Sequence, residues 1–346
     1  MTLHVNGTIQ TVAQLETLLS EPTPAVVEMM RRVEGDMIFL GVGGKIGPSL
    51  ARMAKRASDL AGKPRRIFGV SRFSSGSEES ELRSHGIETV RCDLLDEKGV
   101  AALPAAPHVF YLAGLKFGSK DRIADTWAIN TWLPSVVCRK YQASRIVAYS
   151  TGAVYGMSHA GGRGALETDI PEPIGEYAMS CLGRERMFEY FSRTLGIPVA
   201  TIRLFYACEV RYGVLVDLAQ KVMRGEVIDL AVGHFNMIWQ GDNNAMTLLA
   251  LEQAASPPCV LNITGPEVLS VREVAEGFGE RLGRKPIFGG EEMDTSCLGD
   301  ARLSHRLFGS PTIGVEQLMD WVANWVQVGG EYLGKPTHFE RRDGQY

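Results

Sequence analysis

The chain has 346 residues, 45% hydrophobic and 22% charged, with 36 basic against 40 acidic side chains and a formal net charge of −4. That balance suits one or two globular units with a sizeable core, and it argues against disorder, nucleic-acid binding or attachment to an anionic membrane. No apolar run nears the ~20 residues of a membrane span, and the start Met1-Thr2-Leu3-His4-Val5-Asn6-Gly7 lacks a signal-peptide pattern. The six cysteines are scattered without a CxxC pair, which points to reduced thiols in a cytoplasmic protein and offers no zinc site.

Residues 1–35 read as an N-terminal helical arm. Val12, Leu15, Leu18 and Leu19 repeat at helical spacing, Pro22 and Pro24 break that helix, and Val26, Met29, Met30 and Val33 predict a second one ended by Gly35. Strand and helix signals then alternate. Met37–Leu40 is a short apolar strand, and Ile46, Leu50, Met53, Ala54, Ala57 and Ala61 mark one face of the helix after it. Further strands are predicted at 66–70, 88–91, 108–112, 145–149 and 198–204. Apolar strands with little alternation, separated by helices, imply a parallel sheet covered on both faces. After about residue 206 helices dominate, around Val216, Met246/Leu249 and Val274/Phe278, and Cys259–Ile263 is a strand that returns to the first sheet. The expected class is α/β: a Rossmann-type doubly wound parallel sheet over residues 36–205, with about 236–265 returning to it. A smaller, mainly substrate-binding portion occupies 206–346.

The segment Gly41-Val42-Gly43-Gly44-Lys45-Ile46-Gly47 follows the first strand and opens the first helix of this sheet. Gly41, Gly44 and Gly47 form G-x-x-G-x-x-G. Glycine there permits a tight turn and lets backbone N–H groups approach a pyrophosphate at the positive helix end, so the segment reads as a dinucleotide cradle rather than an ordinary turn. At the end of the second strand an NAD-selective site usually carries an acid for the ribose 2′-hydroxyl. Here Ser71 and Arg72 stand instead. They suit a 2′-phosphate, so NADP is expected over NAD; the competing reading of Arg72 is a solvated strand end. Asp93, followed by Leu94, is placed to accept from the adenine amino group, with a plain surface turn as the alternative.

These motifs, with Leu112-Ala113-Gly114-Leu115-Lys116, Asn130, Ser150-Thr151-Gly152-Ala153-Val154-Tyr155-Gly156 and Tyr177-Ala178-Met179-Ser180, come in the order of the extended short-chain dehydrogenase/reductases. The chain resembles their NAD-dependent epimerase/dehydratase branch over about residues 36–285. Ala113–Lys116 is similar to the UDP-galactose 4-epimerases, and Gly69–Ser75 to the NADP-using GDP-mannose dehydratases. The resemblance implies that Thr151 hydrogen-bonds a reacting hydroxyl and that Tyr177 takes its proton while hydride passes to the nicotinamide. It also implies that Lys116 lies near the cofactor phosphates, that Ala113 and Gly114 line the groove and that Asn130 supports the sheet end. With Gly41, Gly44, Lys45, Ile46, Gly47, Ser71, Arg72, Asp93, Leu94 and Leu112, the residues Lys116, Ser150, Tyr177 and Phe205 complete the expected cofactor contacts.

Three departures refine the expectation. The fourth residue after Tyr177 is Cys181, where the family pattern has lysine. A phenol ionises near pH 10 and needs positive charge to act as a base at neutral pH; Lys116, after the fourth strand, is the nearer candidate, while Arg184 shares the helix side but reads as distant. Glu185 reads as a surface or helix-pairing residue. Arg203-Leu204-Phe205-Tyr206 lacks the family's Asn, and Phe235–Asp242 lacks a preceding basic residue, which argues against a nucleotide diphosphate on the substrate. The expected activity is epimerisation, dehydration or oxidoreduction at a carbinol carbon of a small carbohydrate-like substrate that is not a nucleotide sugar. The alternative is a catalytically silent NAD(P)-binding sensor or assembly subunit that kept the groove. The only partners expected are that small molecule and, compatibly, a second copy of the chain in a homodimer.

Overall fold

Seven parallel strands make the central sheet of the computed structural model, which describes residues 7–74, 76–116, 118–335 and 337–345. Met1–Asn6 and Ser75, both used in reading the sequence, lie outside the described residues. The first five strands are β1 (Met37–Leu40), β2 (Ile67–Ser71), β3 (Glu88–Arg91), β4 (His108–Tyr111) and β5 (Arg145–Thr151). Across the sheet the order is Cys259–Ile263, Val199–Leu204, β5, β4, β1, β2, β3, with every pairing parallel. The order reverses between β1 and β4, so a crevice opens at the carboxyl ends of those two strands, where open α/β sheets take their ligands.

The buried strands follow their apolar runs: all four residues of β1 and of β4 are buried. Two ends differ from the sequence reading in a way that matters. β2 runs on to Ser71, which pairs with Arg91, and β5 runs on to Thr151, which pairs with Leu204. Ladder hydrogen bonds thus carry both polar residues to the crevice edge. Cys259–Ile263 does return to the sheet, against Val199–Leu204.

The arm forms α1 (Val12–Leu19) and α2 (Pro24–Arg32). Thr11 and Gln14 close a capping box on α1. Pro24 does not break a helix; it starts α2 behind the N-cap Thr23, because proline's missing N–H costs nothing at the first position. The arm joins both cores. Met29 and Met30 pack with Phe39 and Leu50 under the sheet, while Leu15 and Leu19 pack with Val214, Phe278 and Trp321 of the C-terminal portion. Beyond α3 (Gly47–Leu60) and α4 (Gly76–Ser84), the long helix Gly175–Leu195 covers β5. Among the described residues no helix is long and apolar enough to cross a membrane.

Residues 333–335 and 337–345 run as a strap across the C-terminal portion. The Leu333 N–H donates to the Arg211 carbonyl. The backbone N–H and hydroxyl of Thr337 both donate to Asp217, at 2.9 and 2.6 Å. Arg342 donates to Thr295. Gly344 presses on Gly175, where a Cβ would lie 2.8 Å from the Gly344 oxygen, so the strap ends two residues before Tyr177.

Candidate active site and cofactor groove

The cradle is built by what glycine leaves out. Gly41 has φ +87°, and a Cβ there would stand 2.7 Å from the Ala113 nitrogen, so only glycine lets the loop pass beneath the end of β4. A Cβ on Gly47 would collide with the Val42 carbonyl. Gly44 is exposed, and its N–H turns back on the Gly41 oxygen at 3.2 Å. Bare backbone of this kind at the start of α3 fits a dinucleotide pyrophosphate. Ile46 packs its side chain against the core. Lys45 does not point along the loop: its Nζ donates to the Ala207 carbonyl at 2.5 Å and lies 4.1 Å over the Tyr212 ring, and burial draws its pKa down to about 8.

At the adenosine end, the Ser71 hydroxyl lies 2.7 Å from the point a Gly43 Cβ would occupy, and Oε2 of Glu78 lies 3.3 Å from that same point. Arg72 is exposed beside them. The sequence reading missed Glu78. It arrives from the first turn of α4, seven residues past the strand, and the available signal was the acidic pair Glu78-Glu79 at a helix start. Asp93 is exposed and accepts from the Leu95 N–H at 3.0 Å, while Leu94 is buried.

At the other end of the groove, Leu112 donates to Leu40 and leads into Ala113 and Gly114. Asn130 lies in a π-helical turn, Ala128–Trp132, a local widening that often marks functional sites. Its amide is saturated. Oδ1 accepts from the Leu115 N–H at 2.9 Å and Arg184 Nη2 at 2.5 Å, and Nδ2 donates to the Leu115 oxygen at 3.1 Å and the Ser180 hydroxyl at 2.9 Å. Asn130 therefore ties the β4 loop to the long helix. Thr151 is half-buried at the end of β5 and caps the turn Gly152–Val154 by accepting from the Ala153 N–H at 3.1 Å. Ser150 is buried and donates to Glu185 at 2.5 Å. The Phe205 ring stacks on Tyr155 and is wedged between Gly152 and Gly299, neither of which has room for a Cβ.

Tyr177, Cys181 and Arg184 fall on one face of the long helix, four and seven residues apart. Burial holds the Cys181 thiol neutral, its pKa raised despite the charges of Arg184 and Lys116 and a hydrogen bond with Tyr177. Lys116 lies within electrostatic reach of Cys181, Cys297 and Asp217, and burial lowers its pKa to about 8. Cys297, pushed up to about 12 by burial, donates to the Gly152 carbonyl at 3.2 Å. Cys181 thus has both Tyr177 and Lys116 as neighbours, and Cys297 lies between Lys116 and the backbone after Thr151. One sequence reading is corrected here: Glu185 is 6% exposed and so not on the surface, and Arg184 beside it is 5% exposed. Glu185 faces the sheet and binds Arg203 through both oxygens, at 3.0 and 2.7 Å.

Architecture of this kind belongs to enzymes that hold a dinucleotide at the carboxyl edge of a doubly wound sheet. Comparison narrows the class: residues 37–213 match the model of the NAD dependent epimerase/dehydratase family, and the chain belongs to that family. No curated protein sequence matches. Among solved structures, it is similar in fold to the UDP-glucuronic acid 4-epimerase from Bacillus cereus in complex with UDP-glucuronic acid and NAD, at 17% identity and a TM-score of 0.69, over 85% of this chain and 99% of that one. It is also similar to the UDP-glucose 4-epimerase from Thermotoga maritima with UDP-glucose, at 19% identity and a TM-score of 0.67, over 85% and 99% of the two chains.

Proposed function

We propose that the protein is an epimerase, dehydratase or oxidoreductase acting at a carbinol carbon of a small carbohydrate-like substrate, with Thr151, Tyr177 and Lys116 as its catalytic residues. The reading is supported by Cys181, which has both Tyr177 and Lys116 as neighbours, and by a glycine turn at the head of α3 that suits a dinucleotide. Gly41, Gly44 and Gly47 would hold the pyrophosphate, and Ala113 and Gly114 would flank the nicotinamide end. When bound, the nicotinamide supplies hydride acceptance and donation at carbon. Thr151 orients the substrate hydroxyl, Tyr177 takes its proton and later returns it, and the Lys116 ammonium stabilises the negative charge that passes between them.

A small substrate is supported by Tyr206 standing where the family has Asn. The solved relatives named above hold UDP-sugars, so nucleotide sugars are the second reading and belong in the test. For the nucleotide, Glu78 beside Ser71 supports a free 2′-hydroxyl and hence NAD, against the NADP preference read from Ser71 and Arg72; exposed Arg72 keeps NADP as the competitor.

The decisive experiment measures deuterium exchange between labelled reduced cofactor and a panel of sugars, sugar acids, polyols and UDP-sugars. Exchange with a small substrate, lost in Tyr177→Phe, is expected. Intact cofactor binding without exchange on any panel member would favour the silent cofactor-binding subunit.

A further inference from the structure

We infer that Arg184 is the positioning residue that makes Tyr177 acidic, its buried guanidinium supplying a permanent positive charge from the same helix face, with the small Cys181 between the two in sequence. The inference rests on Tyr177 as the site's base. Three bonds fix the guanidinium: Nη1 donates to the Tyr149 carbonyl at 3.0 Å, Nη2 to Asn130 Oδ1 at 2.5 Å, and Nε to the Asn130 carbonyl at 3.4 Å. All three acceptors are neutral. Among the described residues no carboxylate forms an ion pair with Arg184; the adjacent Glu185 is committed to Arg203 and Ser150. A buried cation without an ion-pair partner is costly, and its field acts on whatever charge forms next to it. It also reaches the groove, since a Cβ on Gly114 would stand 2.7 Å from Nη2.

The titratable neighbours separate Arg184 from the other candidate. On its own helix Tyr177 has Glu176, which accepts from the Trp127 indole at 2.6 Å, then Cys181, Arg184 and Glu185. Lys116 comes from the loop after β4, and Tyr111 from β4 itself. Tyr155, just after the turn Gly152–Val154, and Arg203, on Val199–Leu204, are closed on each other at 2.6 Å. Burial lowers the Lys116 pKa to about 8, so Lys116 loses its charge in the range where a phenol gains one. For Arg184 burial also opposes the charge, but its neighbours Cys181, Tyr111, Tyr177 and Glu185 outweigh that and leave its pKa raised. A guanidinium stays charged throughout.

The test reads Tyr177 ionisation in cofactor-free protein, as the pH-dependent tyrosinate absorbance that Tyr177→Phe removes. Wild type and Arg184→Lys are expected to titrate together. Arg184→Gln is expected to titrate at least about one pH unit higher, a tenfold weaker acid, and Cys181→Lys in that background to bring the midpoint back. Lys116→Met is expected to move it by less than half as much. An unmoved midpoint in Arg184→Gln, or a rise in Lys116→Met as large as in Arg184→Gln, overturns the inference. If Arg184→Gln does not fold, Lys116→Met decides alone: a rise of about one unit overturns it, and a steady midpoint supports it. If turnover survives Tyr177→Phe while the titration follows Arg184, the base assignment falls and the electrostatic one stands.

Discussion

Glu78→Gln should move nucleotide preference from NADH toward NADPH. Oε2 of Glu78 and the Ser71 hydroxyl lie 3.3 and 2.7 Å from one point above Gly43, so the two cannot be more than 6.0 Å apart. A 2′-phosphate bonded to Ser71 would then sit about 5 Å from the Glu78 carboxylate. Two unit charges at that distance repel by about 332/(80 × 5), or ~0.8 kcal/mol, in water and by about 332/(20 × 5), or ~3.3 kcal/mol, near a protein surface. That corresponds to roughly 4- to 250-fold in affinity per unit of phosphate charge, with the lower end favoured for a partly exposed site in salt. Fluorescence titrations of NADH and NADPH against wild type, Glu78→Gln and Arg72→Ala measure it. Wild type should prefer NADH, Glu78→Gln should tighten NADPH by at least about fourfold with little change for NADH, and Arg72→Ala should weaken NADPH alone. A wild type that prefers NADPH, with the ratio unmoved by Glu78→Gln, would refute the reasoning and return the site to the NADP reading.

Tyr177→Phe should abolish exchange at carbon while the NADH dissociation constant, by the same fluorescence titration, stays within about twofold. Lys116→Met should raise the urea midpoint at pH 7: a lysine at about 8 in the folded chain against 10.5 unfolded destabilises the native state by about 3 kcal/mol below pH 8, and the penalty fades as pH climbs to 10.5. A gain that persists unchanged at pH 10.5 would contradict that origin. UDP-sugars and GDP-sugars should leave the melting temperature of the cofactor-loaded protein unchanged, where binding at 100-fold the dissociation constant would add about 2.7 kcal/mol; a shift competed by free UDP would show that the site admits a nucleotide sugar.

What the sequence made legible was whatever depends on position along an element. Buried strands were readable as apolar runs, the cradle as glycines between strand and helix, and the placement of Thr151 and Tyr177 as motif order. What it hid depends on side-chain length and direction. Glu78 reaches the loop from the next helix, and no spacing rule relates it to Gly43. Arg184 read as a charge on the helix side, and no spacing tells that its guanidinium is buried against Asn130 and Tyr149. Lys45 read as a loop residue on the cofactor, yet its side chain spans to Ala207 and Tyr212. Pro24 read as a breaker because a proline before an apolar pattern does not say whether it ends one helix or begins another.

Arg184 and Glu185 are neighbours in sequence with opposite charges, and their separate fates shape the field of the site. Glu185 turns to the sheet, where Arg203 grips it at both oxygens. Arg203 then bonds the Tyr155 hydroxyl, which donates to Asn262 at 2.9 Å, and Asn262 closes on the carbonyls of Ala165 and Asp300. This chain links β5, Val199–Leu204 and Cys259–Ile263 to the long helix. Replacing such a buried pair with apolar side chains is often neutral in stability, so the pair is weak evidence of stabilisation. Its consequence at the site is electrostatic. Ion-paired to Arg203, Glu185 offsets the charge of Arg184 only in part, and the guanidinium, hydrogen-bonded among the described residues to neutral oxygens, is left to act on Tyr177 and on the groove at Gly114.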